Sequence, residues 1–129
     1  LEIKAFEFIL YVADQTRSRD FYRAVFGFDP VLDVPGMTEF ELGPRLKLGL
    51  MPENGIARIV AGPLPHPADG TGIPRCELYL AVDDPDGALR RALGAGAVPV
   101  SGLAPRDWGD LAGYVADPDG HVIAFARKY

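Results

Sequence analysis

The chain has 129 residues, 48% of them hydrophobic, and a formal net charge of −5. That length suits one domain with a real core, and the composition is too apolar for a disordered chain. The acidic balance argues against a nucleic-acid partner, which would want a basic face, and no apolar run approaches the roughly 20 residues that cross a bilayer, so no membrane partner is expected.

Residues 6–12 alternate as a strand, with Phe8, Leu10 and Val12 on one face and Glu7, Ile9 and Tyr11 on the other. Asp14 or Thr16 caps the helix that follows, whose apolar stripe comes from Phe21 with Val25 and Tyr22 with Phe26, and Gly27 stops it. Short strands are predicted near 30–34, 38–42 and 46–51, separated by Pro35-Gly36 and Gly43-Pro44 turns. Residues 53–73, rich in Pro and Gly, read as a linker and loop, with a short ordered piece near 56–61.

The order then repeats. Glu7-Phe8-Ile9-Leu10-Tyr11-Val12-Ala13-Asp14 returns as Glu77-Leu78-Tyr79-Leu80-Ala81-Val82-Asp83-Asp84, identical at four of eight positions. Asp84-Pro85 opens a second helix as cap and first residue; Ala88, Leu89, Ala92 and Leu93 form its stripe, and Gly94 or Gly96 ends it. Strands are expected near 97–101, 111–116 and 121–127, the last two joined by the turn Asp117-Pro118-Asp119-Gly120. An echo this long implies two similar units, modules of about 1–52 and 74–129 within one domain spanning 1–129. The lone Cys76 has no internal disulfide partner and no His or Lys beside it, so it reads as a spectator thiol. With no secretion leader in view, a reducing, cytoplasmic setting is expected.

Tyr11-Val12-Ala13-Asp14, Ser18-Arg19-Asp20-Phe21-Tyr22, Val25-Phe26-Gly27-Phe28, Trp108-Gly109 and Asp117-Pro118-Asp119-Gly120-His121-Val122-Ile123 resemble the glyoxalase / bleomycin-resistance / extradiol-dioxygenase family, the vicinal oxygen chelate superfamily. The resemblance implies an α+β fold: two paired β-α-β-β-β modules forming a cup-shaped mixed sheet, often completed in a homodimer. Phe8, Leu10 and Val12 would then meet the first helix, and Leu78, Leu80 and Val82 the second. Glu7, Ile9, Tyr11, Glu77, Tyr79 and Ala81 would face the cup, with Lys47, Gly49 and Met51, and with Val122, Ala124 and Ala126.

Metal-dependent members of the family carry up to four ligands, one on the first and one on the last strand of each module. Glu7 and Glu77 stand at the two first-strand places, whereas Gly49 and Ala124 fall at the last-strand places and carry no donor. Two carboxylates match a zinc or nickel site poorly. Glu39 and Glu41 lie on a neighbouring strand that would need a shift of register to join them. His121 is turned to the opposite face, and His66 reads as a solvated loop histidine.

The expected function is therefore binding of a small organic molecule, such as sequestration of an antibiotic or another toxic compound, at a degenerate metal site. Glu7 and Glu77 supply the acid/base chemistry or attract a cation, and Tyr11, Lys47, Met51, Tyr79 and Trp108 contact the ligand. No cofactor is expected. The alternative is a glyoxalase-like lyase of the lactoylglutathione-lyase type, with Glu7 and Glu77 holding zinc, nickel, manganese or iron and the substrate a thiol adduct or enolisable carbonyl compound.

Overall fold

In the computed structural model, which describes residues 1–129, the alternating segment Phe6–Val12 forms the first strand, β1. Asp14 then caps α1 (Gln15–Phe26), its carboxylate accepting from the Arg17 N–H at 3.0 Å. A cap of this kind is worth about 1 kcal/mol. Gly27 ends the helix at φ 78°, a left-handed turn in which its N–H reaches the Arg23 carbonyl. Three strands complete the first module: β2 (Leu32–Val34), β3 (Met37–Gly43) and β4 (Leu46–Pro52). They form a sheet in the order β1-β4-β3-β2, with β1 and β4 parallel and the other pairs antiparallel.

One face of this sheet buries Leu10, Val12, Thr38, Phe40, Leu48 and Leu50, and α1 buries Ser18, Phe21, Tyr22 and Val25. Each large apolar side chain so buried contributes roughly 1.5–3 kcal/mol. Phe8 departs from the expected helix contact: it is 47% exposed and lies beside Phe6, ring centroids 6.2 Å apart. β1 is an edge strand, and among its core-parity residues only Leu10 and Val12, at the end nearer α1, are buried. Gln15 ties the first turn of α1 to the β2–β3 turn, donating to the Val34 carbonyl and the Thr38 hydroxyl and accepting from the Gly36 N–H.

The expected linker is more ordered than its composition implies. Glu53–Val60 forms a second helix, α2, and Pro67–Gly70 a single 3-10 turn. The ordered piece near 56–61 thus begins at Glu53, an acid that suits a helix N-terminus, while Pro52 offers no side-chain cap to announce it. His66 is not merely solvated. Its Nδ1 accepts from the Ala68 N–H, which leaves Nε2 to donate to Asn54 Oδ1 at 2.8 Å and tie the turn to α2.

The second module repeats the plan with β5 (Glu77–Ala81), α3 (Pro85–Gly94), β6 (Val98–Pro105), β7 (Asp110–Ala116) and β8 (Val122–Lys128). Its sheet order is β5-β8-β7-β6, with β5 parallel to β8. Asp84 caps α3 through the Gly87 N–H, and Pro85 takes the first helical position. Leu89, Ala92, Val115, Ile123 and Phe125 are buried. Gly113 lets α3 approach: a Cβ there would strike Leu89 Cδ1 and lie 3.2 Å from the Leu103 backbone nitrogen.

The Asp117–Gly120 turn is closed by Gly120 donating to the Asp117 carbonyl at φ 88°. Asp117 accepts from the Asp119 and His121 N–H groups and from His121 Nδ1. Arg75 donates to His121 Nε2 at 3.3 Å, which fixes the proton on Nδ1. His121 is therefore a buried fastener of this turn. By chain contacts the molecule divides into two units, Leu1–Arg23 with Gly27–Gly70 and Ala24–Phe26 with Thr71–Tyr129. No helix is long and apolar enough to cross a membrane.

Candidate functional site

Each sheet has a second face, opposite the one that carries its large buried side chains, and the strand residues expected at the site fall there. In the first module strand pairing sets Glu7 beside Lys47, Ile9 beside Gly49 and Tyr11 beside Met51. On the other side of β4, Glu39 pairs with Gly49 and Glu41 with Lys47. Glu39 thus needs no shift of register to join Glu7. The turn at Gly43-Pro44-Arg45, with a bulge between Glu41 and Gly43, already provides it.

Gly49 is the hinge of this arrangement. A Cβ there would lie 2.7 Å from Glu7 Oε1, 3.1 Å from Ile9 Cγ1 and 3.3 Å from Met37 Sδ. The Glu7 carboxyl therefore occupies the space that a side chain at 49 would need. Burial, then a hydrogen bond with Glu39 and the Glu39 charge, push the Glu7 carboxyl above its usual range, against the pull of Lys47. Lys47 Nζ lies 3.4 Å from Glu39 Oε1. Glu39 thus stands between the Glu7 carboxyl and the Lys47 ammonium. Tyr11 is 37% exposed; the Met51 methyl would lie 3.9 Å from a Cβ at Gly55 in α2.

In the second module Glu77 pairs with Val122, Tyr79 with Ala124 and Ala81 with Ala126, while β7 sets Tyr114 against Ala124 and Ala112 against Ala126. Glu77 is exposed, without a basic residue opposite. Ala124 is fully buried between its two tyrosine neighbours. Tyr79 donates its hydroxyl hydrogen to Asp110 Oδ2 at 2.6 Å, and the Trp108 indole N–H donates to the Tyr79 oxygen at 2.9 Å. Lys128 pairs with the other carboxylate oxygen, Oδ1, at 3.0 Å. The Tyr79 hydrogen bond, then Lys128, hold the Asp110 carboxyl below its usual range, while Asp110 raises the Tyr79 phenol, with the Trp108 hydrogen bond opposing.

Trp108 is placed by a tight turn. Arg106 donates its N–H to the Asp110 carbonyl and accepts from Gly109, which stands at φ 91°. The Arg106 guanidinium donates to the Ala112 and Gly102 carbonyls and to Ser101 Oγ, and covers the Tyr114 ring at 5.1 Å. Tyr79 and Trp108 remain 40% and 56% exposed and offer an aromatic shelf.

Asp110 and Lys128 were missed from sequence, and Glu39 was named there but set aside for its register. Glu39 alternates with the buried Phe40, and only the bulge between Glu41 and Gly43 sets it opposite Gly49, where a plain count back from the Gly43 turn would have set Phe40. Asp110 and Lys128 are cross-strand partners whose pairing depends on the full β7–β8 register. Cys76 is half-buried, and burial foremost pushes its thiol up, as fits a spectator.

Residues 4–125 match the sequence profile of the Glyoxalase/Bleomycin resistance protein/Dioxygenase superfamily. An uncharacterized protein of Mycobacterium bovis, Mb0911c, is 33% identical over 115 residues, covering 87% of this chain and 75% of its own. Among solved structures, a glyoxalase-related enzyme from Fulvimarina pelagi superposes with a TM-score of 0.83 at 24% identity, over 99% of this chain and 89% of that one. A glyoxalase/bleomycin resistance protein/dioxygenase from Nocardioides gives 0.79 at 21% identity, over 99% and 85%. At these identities the two structures speak for the fold.

Proposed function

The chain belongs to the glyoxalase/bleomycin resistance protein/dioxygenase superfamily, and from that premise we propose that it is a binding protein, taking a planar, cationic organic molecule by affinity alone. The observation that carries this reading is the packing at Gly49. A resident zinc, nickel, manganese or iron ion wants three or more protein donors. Glu7 and Glu77 are the only donors at the four places the family uses. At the third, Gly49, a side chain would collide with the Glu7 carboxyl, and at the fourth, Ala124 is fully buried between tyrosines. Glu39, the nearest further carboxylate, is engaged by Lys47. The donor set does not fit the ion.

What the two faces offer instead is carboxylates for a cation and exposed rings for a planar one: Glu7 and Glu39 with Tyr11, and Glu77 with Tyr79 and Trp108. Trp108 is the sole tryptophan, so its emission reports on the second face directly. Titration with planar aromatic cations should quench it saturably at micromolar concentration, with affinity reduced in Glu77→Gln. Emission unmoved by any such compound would remove the proposal. A homodimer in the cytoplasm completes it; exposed Phe6 and Phe8 on edge strand β1 favour a second copy, and a monomer in light scattering at micromolar concentration would count against that part.

One observation favours a second reading as a glyoxalase-like lyase. Burial, and then the neighbouring Glu39, push the Glu7 carboxyl above its usual range, as suits a general acid. Turnover of an enolisable carbonyl compound that survives Glu7→Gln unchanged would remove it.

A further inference from the structure

By residue type alone, the aromatic shelf of the second module holds two hydrogen-bond donors, the Tyr79 hydroxyl and the Trp108 indole. Both hydrogens are already spent. The Tyr79 O–H points to Asp110 Oδ2 at 2.6 Å, and the Trp108 N–H points to the Tyr79 oxygen at 2.9 Å. A phenol oxygen has one hydrogen and two acceptor lone pairs. With the hydrogen given to Asp110 and one lone pair taken by Trp108, one lone pair is left. The neighbouring Arg106 gives its Nε and Nη2 donors to backbone carbonyls and Ser101. Lys128 lies on Asp110 Oδ1, the oxygen that does not receive Tyr79.

We infer that Asp110 is a positioning residue that turns Tyr79 into an acceptor, so that the ligand group meeting this shelf is an N–H donor on a planar ring rather than a carbonyl or carboxylate. The inference rests on the binding reading above and narrows it to amine-bearing aromatic ligands. The direction of the Tyr79 hydrogen bond is set by charge: the ionised Asp110 can only accept, and Lys128 beside it favours that ionised form. Without Asp110 the hydroxyl would be free to rotate and donate to an acceptor instead.

Two dyes separate the possibilities: proflavine, a tricyclic cation with two primary amino groups, and acridine orange, the same ring system with both amines dimethylated. The native protein should bind proflavine about tenfold more tightly, the value of one well-placed hydrogen bond. Tyr79→Phe keeps the ring and should bring the two dyes within about twofold. Asp110→Ala should shrink the preference in the same direction. A ligand-free readout accompanies these. The single indole N–H resonance of Trp108 in a proton–nitrogen correlation spectrum should move, and exchange faster, in Tyr79→Phe. An unmoved indole resonance, or a dye preference that Tyr79→Phe leaves intact, overturns the inference. Equal affinity of the native protein for both dyes overturns this inference alone; failure of both dyes to bind overturns the binding reading, and this inference with it.

Discussion

At the centre of the first sheet's second face stands Gly49, flanked by Ile9 and Glu39; at the matching place in the second sheet stands Ala124, flanked by Tyr79 and Tyr114. Both lie on the strand that pairs in parallel with the first strand of the module. The strand order is the same, yet one face gathers a charged trio, Glu7, Glu39 and Lys47, and the other an aromatic pair locked by Asp110. Duplicated backbone topology thus fixes where a side chain stands, and side-chain size decides the chemistry. A missing Cβ at 49 admits a carboxyl, whereas a buried methyl at 124 leaves the tyrosines to form the surface.

The comparison can be broken most severely from the buried side. Phe40 and Val115 hold matching places, each pairing with the core residue of the central strand, Leu48 and Ile123. Both are buried. Phe40→Ala should cost about 3–5 kcal/mol in urea unfolding, through lost burial and the cavity left behind. Val115→Ala should cost less, because the removed volume is smaller. Equal losses would mean that the two cores are not built alike.

Two glycines sharpen the contrast at a smaller scale. At Gly113 an added methyl meets Leu89 Cδ1 and the Leu103 backbone, which cannot swing away. Gly113→Ala should destabilise by about 1–3 kcal/mol as α3 is pushed from its sheet. At Gly49 the nearest atom is the far end of the flexible Glu7 side chain, with the side-chain atoms Ile9 Cγ1 and Met37 Sδ farther off. Gly49→Ala should cost less than about 1.5 kcal/mol while displacing the Glu7 carboxyl. Chemical denaturation of both variants tests the difference, and a larger loss at 49 than at 113 would contradict it.

The smallest effect is a pair of opposed pH slopes. The folded Glu7 carboxyl titrates above its usual range, burial being the first cause and Glu39 the second, so its contribution to stability is present at acid pH and lost as pH rises through the raised value. Asp110 is held below its usual range, by Tyr79 first, so its contribution is present at neutral pH and lost as pH falls through the lowered value. Stability curves for Glu7→Gln and Asp110→Asn against the native protein, between about pH 3 and 7 around the ordinary carboxylate values, should therefore differ with opposite slope. Parallel curves would show that one carboxyl has been placed wrongly.

Most of the strand and helix order was legible because period-2 alternation, Asp caps and Gly stops occur twice in the chain, and each copy supports the other. The facing of Glu7, Tyr11, Glu77 and Tyr79 followed from parity alone. α2 was half hidden, since prolines and glycines on both sides mask a helix of eight residues that has no side-chain cap. Phe8 was misplaced because parity says which face a residue takes but not how far along an edge strand the cover extends. Glu39 was set aside and Asp110 not found because their roles depend on cross-strand register, which turn geometry and bulges set, and a single strand read alone carries no register.

Calorimetric titration of the metal-stripped protein with zinc, nickel, manganese and iron(II) asks directly whether the donor set is incomplete for a resident metal. No stoichiometric binding is expected at micromolar metal, and dye affinity should be indifferent to chelator. One equivalent of metal per chain bound at submicromolar concentration, and lost in both Glu7→Gln and Glu77→Gln, would contradict it.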